Sequence, residues 1–376
     1  MRLDPLLLLA TLGLVACSLV VLRGATRSDI AGEPNYFVNR QAIYAAVGVV
    51  LMYAASRFDY SRLRELRYPL YGLLIGLLVV VLGIAQATRG ARSWIALPGF
   101  NFQPSEIGKA LLVVALAGFV VGRMRRMGRD TTARIMLLGL IPTLLVIAEP
   151  DLGSALVYVA ATFAVLFVAG APWRHFAALA LLFAVAVAGV LVVAPKMGVE
   201  VLEPYQVERL TSFLHPSADP GDEGYQQQQA LIALGSGEKT GRGVANATQT
   251  SLNFLPEHHT DFVFAVVGET YGFAGCALIL SLYALLIWRG LHILTMAKNL
   301  YGALIAGGIT VMLLFQIFVN VGMNVGIMPI TGVTAPLLSF GGSSMLATFL
   351  ALGLLHSVHA QAREVAEHKG RAAIFQ

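Results

Sequence analysis

Five polar side chains stand in one unbroken run, Glu257-His-His-Thr-Asp261, just before the apolar segment 262–288. A carboxylate at the mouth of a membrane helix has water on one side and low dielectric on the other. It is partly desolvated and becomes a better base. Asp261, at the step where loop meets membrane, is the best placed to act as one. Such a base with cations nearby suits group transfer from a lipid-linked diphosphate. The base takes a proton from a sugar hydroxyl, and cations or helix N-termini stabilise the leaving diphosphate. A transporter with intramembrane carboxylates accounts for the same residues equally well. His258 and His259 are adjacent, so on a helix they diverge by about 100° and make poor joint metal ligands.

Other charged residues lie where a membrane makes them costly, and each is a functional candidate for that reason. Gln103-Pro-Ser-Glu-Ile-Gly-Lys109 opens an apolar segment, with Pro104 suited to a first helical turn. The i, i+3 spacing puts Glu106 and Lys109 on one face, where they either pair structurally or present Lys109 to a substrate phosphate. Glu149 and Asp151 flank Pro150 between two segments. Asp151 reads as a helix cap, and the two carboxylates together as a possible divalent-ion site. Glu269, two turns into segment 262–288, needs a partner such as Lys109 or an arginine of the long loop. Arg89-Gly-Ala-Arg-Ser-Trp94 reads either as an interfacial anchor or as Arg92 holding a diphosphate. Gly341-Gly-Ser-Ser344 opens the last apolar segment, whose free N–H groups favour an anion; a plain helix start is the other reading.

The elements that must position these groups are membrane helices. The 376 residues are 57% hydrophobic and 12% charged, about half the charged share of a soluble domain. Mean hydropathy is +0.73. Ten apolar stretches of bilayer length recur near 5–22, 40–56, 68–87, 104–122, 134–149, 152–170, 174–194, 262–288, 301–325 and 343–360. With both ends in the cytoplasm, most of the 26 Lys and Arg fall on the inside loops and the two tails, so the net charge of +5 is topological and not a nucleic-acid footprint. Cys17 and Cys276 lie in apolar runs and read as small core residues. The first apolar run lacks a small-residue cleavage site and reads as a retained span. No Walker A, Rossmann or zinc spacing is present in the sequence.

One connection, 195–261, is long and falls outside. Helical spacing predicts short helices at 207–214 and 224–234, followed by the glycine-dense turn region 235–243. The charged tail after Gln361 is expected to be cytoplasmic and frayed. The constellation Asn320-Val-Gly-Met-Asn324, Met328-Pro-Ile-Thr-Gly332 and Pro336 to Ser344 is dense in glycine and proline, which marks backbone lining a cavity at membrane depth.

The chain resembles the SEDS family of shape, elongation, division and sporulation proteins, which includes RodA and FtsW. The matching stretches are Arg92-Ser-Trp-Ile95, Gln103 to Lys109, Glu149-Pro-Asp-Leu-Gly-Ser154, Gly224-Tyr-Gln226, Ala233-Leu-Gly-Ser-Gly237, Phe254 to Phe264, Met328 to Gly332 and Ser339 to Ser343. They come in the family's order and cover nearly the whole chain. The resemblance implies an all-α polytopic protein of ten transmembrane helices, one membrane domain over 1–376, with the large extracytoplasmic loop between helices 7 and 8. It also implies a peptidoglycan glycosyltransferase that polymerises lipid II outside the bacterial cytoplasmic membrane, with a class B penicillin-binding protein as partner.

In that frame Asp261 is the catalytic residue. Arg92, Glu106, Lys109, Gln249, Glu257, His259, Thr260 and Ser343 are substrate-binding candidates, and Glu149, Asp151 and Glu269 are structural or cation-binding candidates. A divalent cation, Mg or Mn, suits the diphosphate, although the sequence shows no ligand set. Two departures from the family pattern stand out: Gly237-Glu238 where Gly-Gly is usual, and Glu269-Thr270 where Glu-Glu is usual. The Phe254-to-Asp261 loop and the short tails favour RodA over FtsW. The rival readings are a lipid II flippase, which needs polar groups through the full membrane depth, and a scaffold without chemistry.

Overall fold

Within the described residues, each expected apolar stretch contains a helix in the computed structural model. The structure describes residues 3–27, 30, 32–84, 93–97, 100–123, 128–188, 223–252, 254–255 and 257–374. The helices are α1 Pro5–Ala25, α2 Tyr36–Arg57, α3 Arg67–Ile84, α4 Pro104–Arg123, α5 Arg129–Ala148, α6 Leu152–Val168 and α7 Trp173–Ala188. They continue as α8 Glu223–Ser236, the short α9 Thr248–Ser251, α10 Val263–Met296, α11 Leu300–Asn324 and α12 Gly342–Ile374. Among the described residues eight helices are long and apolar enough to cross a membrane, and α6 is apolar but shorter, at 17 residues. The expected helix at 224–234 is α8. The one at 207–214 lies outside the described residues, as do Arg89 and Arg92. Helix α12 continues past Gln361 into the tail, to Ile374.

The ends of the helices are set locally. Pro5 opens α1, and the Asp4 carboxylate accepts from Leu7 N at 2.9 Å, satisfying an otherwise orphaned donor. Asp151 caps α6 through Ser154 N at 2.9 Å, and Asn299 caps α11 through Gly302 N at 2.8 Å. Only Pro150 and its two neighbours separate α5 from α6, so the two form a tight antiparallel pair.

Packing separates a central group from a peripheral one. Within the span windows α4, α11 and α12 are 78%, 72% and 89% buried, whereas α2 and α3 are 22% and 17% buried and turn most of their surface outward. Among apolar helices in lipid, close approach depends on small residues. A Cβ at Gly48 of α2 would fall 2.1 Å from the Phe349 ring of α12, and one at Gly353 would fall 2.6 Å from Ala55 Cβ. The longest α2–α12 contact therefore exists because these positions lack side chains.

One β-hairpin caps the bundle at the start of α4. Strands β1 Ile95–Leu97 and β2 Phe100–Phe102 pair antiparallel with Ala96 opposite Asn101. The alternation Trp-Ile-Ala-Leu-Pro-Gly-Phe-Asn-Phe, with Pro98-Gly99 at its centre, carries this hairpin signal in plain view.

Candidate active site

The site is built on three chain segments that meet at one end of the bundle: the turn before α10, the C-terminal end of α11, and the non-helical stretch leading into α12. In the turn, Glu257 adopts φ +53°, a left-handed conformation uncommon for a residue with a side chain. That conformation aims its carbonyl at the amides that follow. Thr260 N and Asp261 N donate to it at 3.1 Å each, and Thr260 Oγ1 reaches Glu257 Oε2 at 3.1 Å. The turn is wound tightly on Glu257, and Asp261 emerges half-buried, two residues before α10 begins.

Two asparagines of α11 fix the Asp261 peptide. Asn320 Nδ2 and Asn324 Nδ2 donate to Asp261 O at 3.0 and 3.1 Å. The same Nδ2 groups reach Val333 O at 2.8 Å and Asn320 O at 2.8 Å, while Asn324 Oδ1 accepts from Ala265 N at 2.9 Å. Both side chains are fully buried. An unsatisfied buried amide costs about 1–3 kcal/mol, so the arrangement is held by the groups it would orphan. The sequence marked this segment as glycine-rich cavity lining; the hydrogen-bonding role of the asparagines needed the tertiary structure. The i, i+4 spacing was the available signal, since it puts both on one face of α11.

The third segment closes the site. Ser339 Oγ donates to Thr260 O, Phe340 N donates to His259 O at 2.9 Å, and Ala335 N donates to Ser339 Oγ at 2.9 Å. The His259 ring lies against Phe37 and Phe340, with centroids 4.6 and 5.9 Å away. His258 is buried with Nδ1 on Leu255 O at 3.1 Å, and the two histidine planes stand at 77°, which keeps them from sharing a ligand. Gly332 takes φ +71° beside the Asp261 carboxylate, and a Cβ there would lie 3.8 Å from Oδ2. The neighbouring Thr331 O sits over Gly153, close enough that a Cβ on Gly153 would meet it at 2.4 Å. This contact joins the Asp261 segment to the first turn of α6.

Asp151, Gln103, Ser105 and Ser343 form the adjoining network. Gln103 Nε2 and Ser105 Oγ reach Asp151 Oδ2 at 3.0 and 3.3 Å, while Oδ1 caps α6. Ser343 Oγ accepts from Gln103 N and donates to Asn101 O, both at 2.9 Å, tying the start of α12 to the hairpin. One helical turn deeper, Lys109 Nζ pairs with Glu106 Oε1 at 2.7 Å, and Lys109 is only 2% exposed. The Glu106–Lys109 pair is thus formed and buried, with the ammonium held against its neighbouring carboxylate. Ser93 Oγ donates to Glu149 O at 2.7 Å, which fixes the segment following Arg92 onto the α5–α6 connection.

The three carboxylates considered as a cation site are placed differently from one another. Glu269 is fully buried, and among the described residues its partners are neither Lys109 nor an arginine. Gln249 N and Thr250 N donate to it at 2.8 and 3.0 Å, and Thr250 Oγ1 at 2.7 Å, so it caps α9 from beneath. Gln249 contributes its backbone to this cap, and its Oε1 is buried without a hydrogen-bond partner. Asp151 is committed to the α6 cap. Glu149, in the α5–α6 connection, is fully buried, and among the described residues neither carboxylate oxygen has a hydrogen-bond partner. Burial, reinforced by the charge of Asp151, pushes its carboxyl up to about 9, so it is neutral at pH 7. Among the described residues no group of three or more His, Cys, Asp or Glu side chains is arranged to hold a metal ion.

Known proteins share this architecture over its whole length. The FtsW/RodA/SpoVE family model, described as "Cell cycle protein", matches residues 3–364. The chain is 37% identical to peptidoglycan glycosyltransferase MrdB of Escherichia coli K12, covering 95% of this chain and 94% of MrdB. It is 35% identical to stage V sporulation protein E of Bacillus subtilis, covering 96% and 98%. Among solved structures, a chain of a peptidoglycan synthase complex that coordinates polymerization and crosslinking superposes with a TM-score of 0.81 at 35% identity, covering 96% and 99%. The Thermus thermophilus rod shape determining protein RodA superposes at 0.70 with 33% identity, covering 96% and 98%. A multi-pass helical membrane protein matched from its first helix to its last, with polar segments gathered around Asp261, belongs to the FtsW/RodA/SpoVE family of cell cycle proteins, the SEDS family.

Proposed function

We propose that this chain is a peptidoglycan glycosyltransferase that polymerises lipid II into glycan strands, with Asp261 as general base. The observation that carries the proposal is the immobilised Asp261 peptide, clamped by Asn320 and Asn324, beside an open glycine. The relative MrdB is named for this activity. Asp261 takes the proton of the acceptor sugar hydroxyl as that oxygen attacks the anomeric carbon of the donor. The carbon–oxygen bond to the lipid diphosphate breaks with inversion, and the diphosphate leaves with its charge. Arg92 and the amides at the start of α12 are the groups we assign to that charge. The Glu106–Lys109 pair positions the first turns of α4. We place this chemistry outside the cytoplasmic membrane, with both termini inside.

We assign the chain to elongation and cell shape, as for RodA, on the Phe254-to-Asp261 sequence and short tails; division, as for FtsW, is the alternative. The partner we assign is a class B penicillin-binding protein, a crosslinking enzyme, in keeping with the complex that contains the structural neighbour. The direct test is polymerisation of purified lipid II with the partner present. Wild type yields polymer, and folded Asp261→Ala and Asp261→Asn yield none. Equal polymer from wild type and both variants rejects Asp261 as base. Lipid II crossing vesicles without polymer would turn the reading to a flippase.

A further inference from the structure

At the end of the bundle away from Asp261 lies a cavity of about 510 Å3. Helix α4 starts beside Asp151 and runs 20 residues, about 30 Å, to reach it. The cavity is lined by Arg64 and Glu65 of the α2–α3 connection, Arg67 at the start of α3, Val121 near the end of α4, and Asn299 and Leu300 where α11 begins. Arg67 is the organising group. Its stem crosses Gly118, where a Cβ would come within 2.9 Å of Arg67 Cβ. Its guanidinium lies over Gly122, where a Cβ would fall 3.3 Å from Cζ. The ring of Tyr68 holds it from another side, 4.9 Å from Cζ to centroid. Its hydrogen bond is Nη1 to Arg64 O at 3.5 Å, and among the described residues no carboxylate lies within ion-pairing distance. A guanidinium held in shape by two glycines and a ring, beside a second arginine, is a preorganised anion fork.

The surroundings say what carries the anion. The same connection, α3 and α4, together with α2 and α12, also line a separate apolar groove of about 350 Å3, with Leu63, Leu70, Leu111 and Val114 on the side nearest the arginines. Leu70 is one helical turn past Arg67 on α3, and Val114 two turns before Val121 on α4, so the groove lies deeper in the membrane than the arginines. Leu66, just before α3, and Tyr68 and Leu73 on it are exposed apolar side chains. A positively charged cavity at the membrane boundary with an apolar groove beneath it matches an amphiphile with a phosphate head.

We propose that the Arg64–Arg67 cavity binds the phosphate of an anionic phospholipid headgroup, with an acyl chain in the groove below. Glu65 in the same lining limits the site to one phosphate and disfavours more highly charged anions. The experiment uses the full chain in nanodiscs of phosphatidylcholine with increasing phosphatidylglycerol, and reads retained lipid by native mass spectrometry. Wild type retains phosphatidylglycerol in preference to phosphatidylcholine. Arg67→Gln weakens that retention about 10-fold, as loss of a charge-assisted contact does. Gly122→Ala keeps every charge but displaces the guanidinium by a few tenths of an ångström, and weakens retention measurably but less than Arg67→Gln does. Arg129→Gln, an exposed arginine outside the cavity, leaves it unchanged. If Arg67→Gln misfolds, Gly122→Ala alone carries the test. Equal losses for Arg129→Gln with none for Gly122→Ala would reduce the effect to diffuse surface charge and overturn the site. Displacement of the lipid by equimolar inorganic phosphate would overturn the lipid as its ligand.

Discussion

Two residues carry the chemistry of placement more than of reaction. Asn324 gives two donors, one to Asp261 O and one to Asn320 O, and takes one from Ala265 N. Asn324→Asp keeps the shape and the acceptor but removes both donors. Freeing the Asp261 peptide lets its carboxylate wander by fractions of an ångström, which costs the transition state more than substrate binding. We expect kcat to fall by about 10–100-fold with KM nearly constant, with helicity and detergent monodispersity unchanged. A rise in KM at constant kcat would mean the clamp serves binding instead. Glu149 makes a different prediction. Its carboxyl is raised in the folded state, so the native protein holds a proton that the unfolded chain releases. Stability from this group is full below the ordinary value near 4.5 and is lost as pH rises toward about 9. Glu149→Gln removes the titration. Its Tm should exceed wild type by more at pH 8.5 than at pH 6, and an equal difference at both would sink the assignment.

At the scale of elements, the decisive feature is a break inside α10. Gly272 takes φ +64° and ψ −159°, which interrupts the helix. The freed backbone groups are met by the turn after α8: Arg242 N and Gly243 N donate to Glu269 O and Thr270 O at 2.9 and 3.0 Å. In return Phe273 N and Ala274 N donate to Glu238 O and Lys239 O at 2.9 and 3.1 Å. This ladder bolts the long loop to the helix that carries Asp261 at its mouth. Gly272→Ala puts a Cβ 2.3 Å from Gly241 N and demands a left-handed alanine, so it should unlatch the loop and abolish polymerisation. Protease cleavage within residues 235–252, faster than in wild type, would report the unlatching directly. Glu238, which stands where the family usually has glycine, takes φ +46° and is strained. Glu238→Gly should therefore raise stability by about 1 kcal/mol, read as a higher Tm. An unchanged or lower Tm would show that the glutamate makes a compensating contact.

For the whole molecule, the ends of the helices are joined by buried ionic contacts as well as by apolar packing. Asp4, ahead of α1 and fully buried, pairs with Arg289 of α10 through Nε and Nη2, one edge of the guanidinium, and its backbone N donates to His356 Nδ1 of α12 at 3.2 Å. Burial opposes the Asp4 charge, but the Arg289 and Leu7 hydrogen bonds outweigh it and hold the carboxyl below its ordinary value. Three helices far apart in sequence meet at one aspartate. Removing one partner of a buried pair costs about 3 kcal/mol, because the other charge stays buried. Arg289→Leu should lower Tm by several degrees while leaving the Asp261 turn intact. A double variant with Asp4→Leu should recover most of the loss, and failure to recover would mean that Arg289 acts through other contacts.

Much of this protein was legible before any coordinates. Apolar length and charge bias gave the helices, because a bilayer demands about 20 apolar residues per span and the chain has little freedom to meet that demand otherwise. Asp261 was legible as a carboxylate at a loop–membrane step, and Asp151 as a cap, because both are local. The hairpin at 95–102 was equally local and could have been read from its alternation about Pro98-Gly99. What the linear chain could not express was pairing between distant segments. The amides of α9, not Lys109, satisfy Glu269; Asn320 and Asn324 hold a peptide some 60 residues away; and Gly272 breaks a helix that the apolar pattern draws as continuous. Each of these rests on the requirement that buried polar groups find partners, and which partner is found depends on which segments packing brings together. Hydropathy decided that the helices form, and tertiary contact alone decided which donors and acceptors they share.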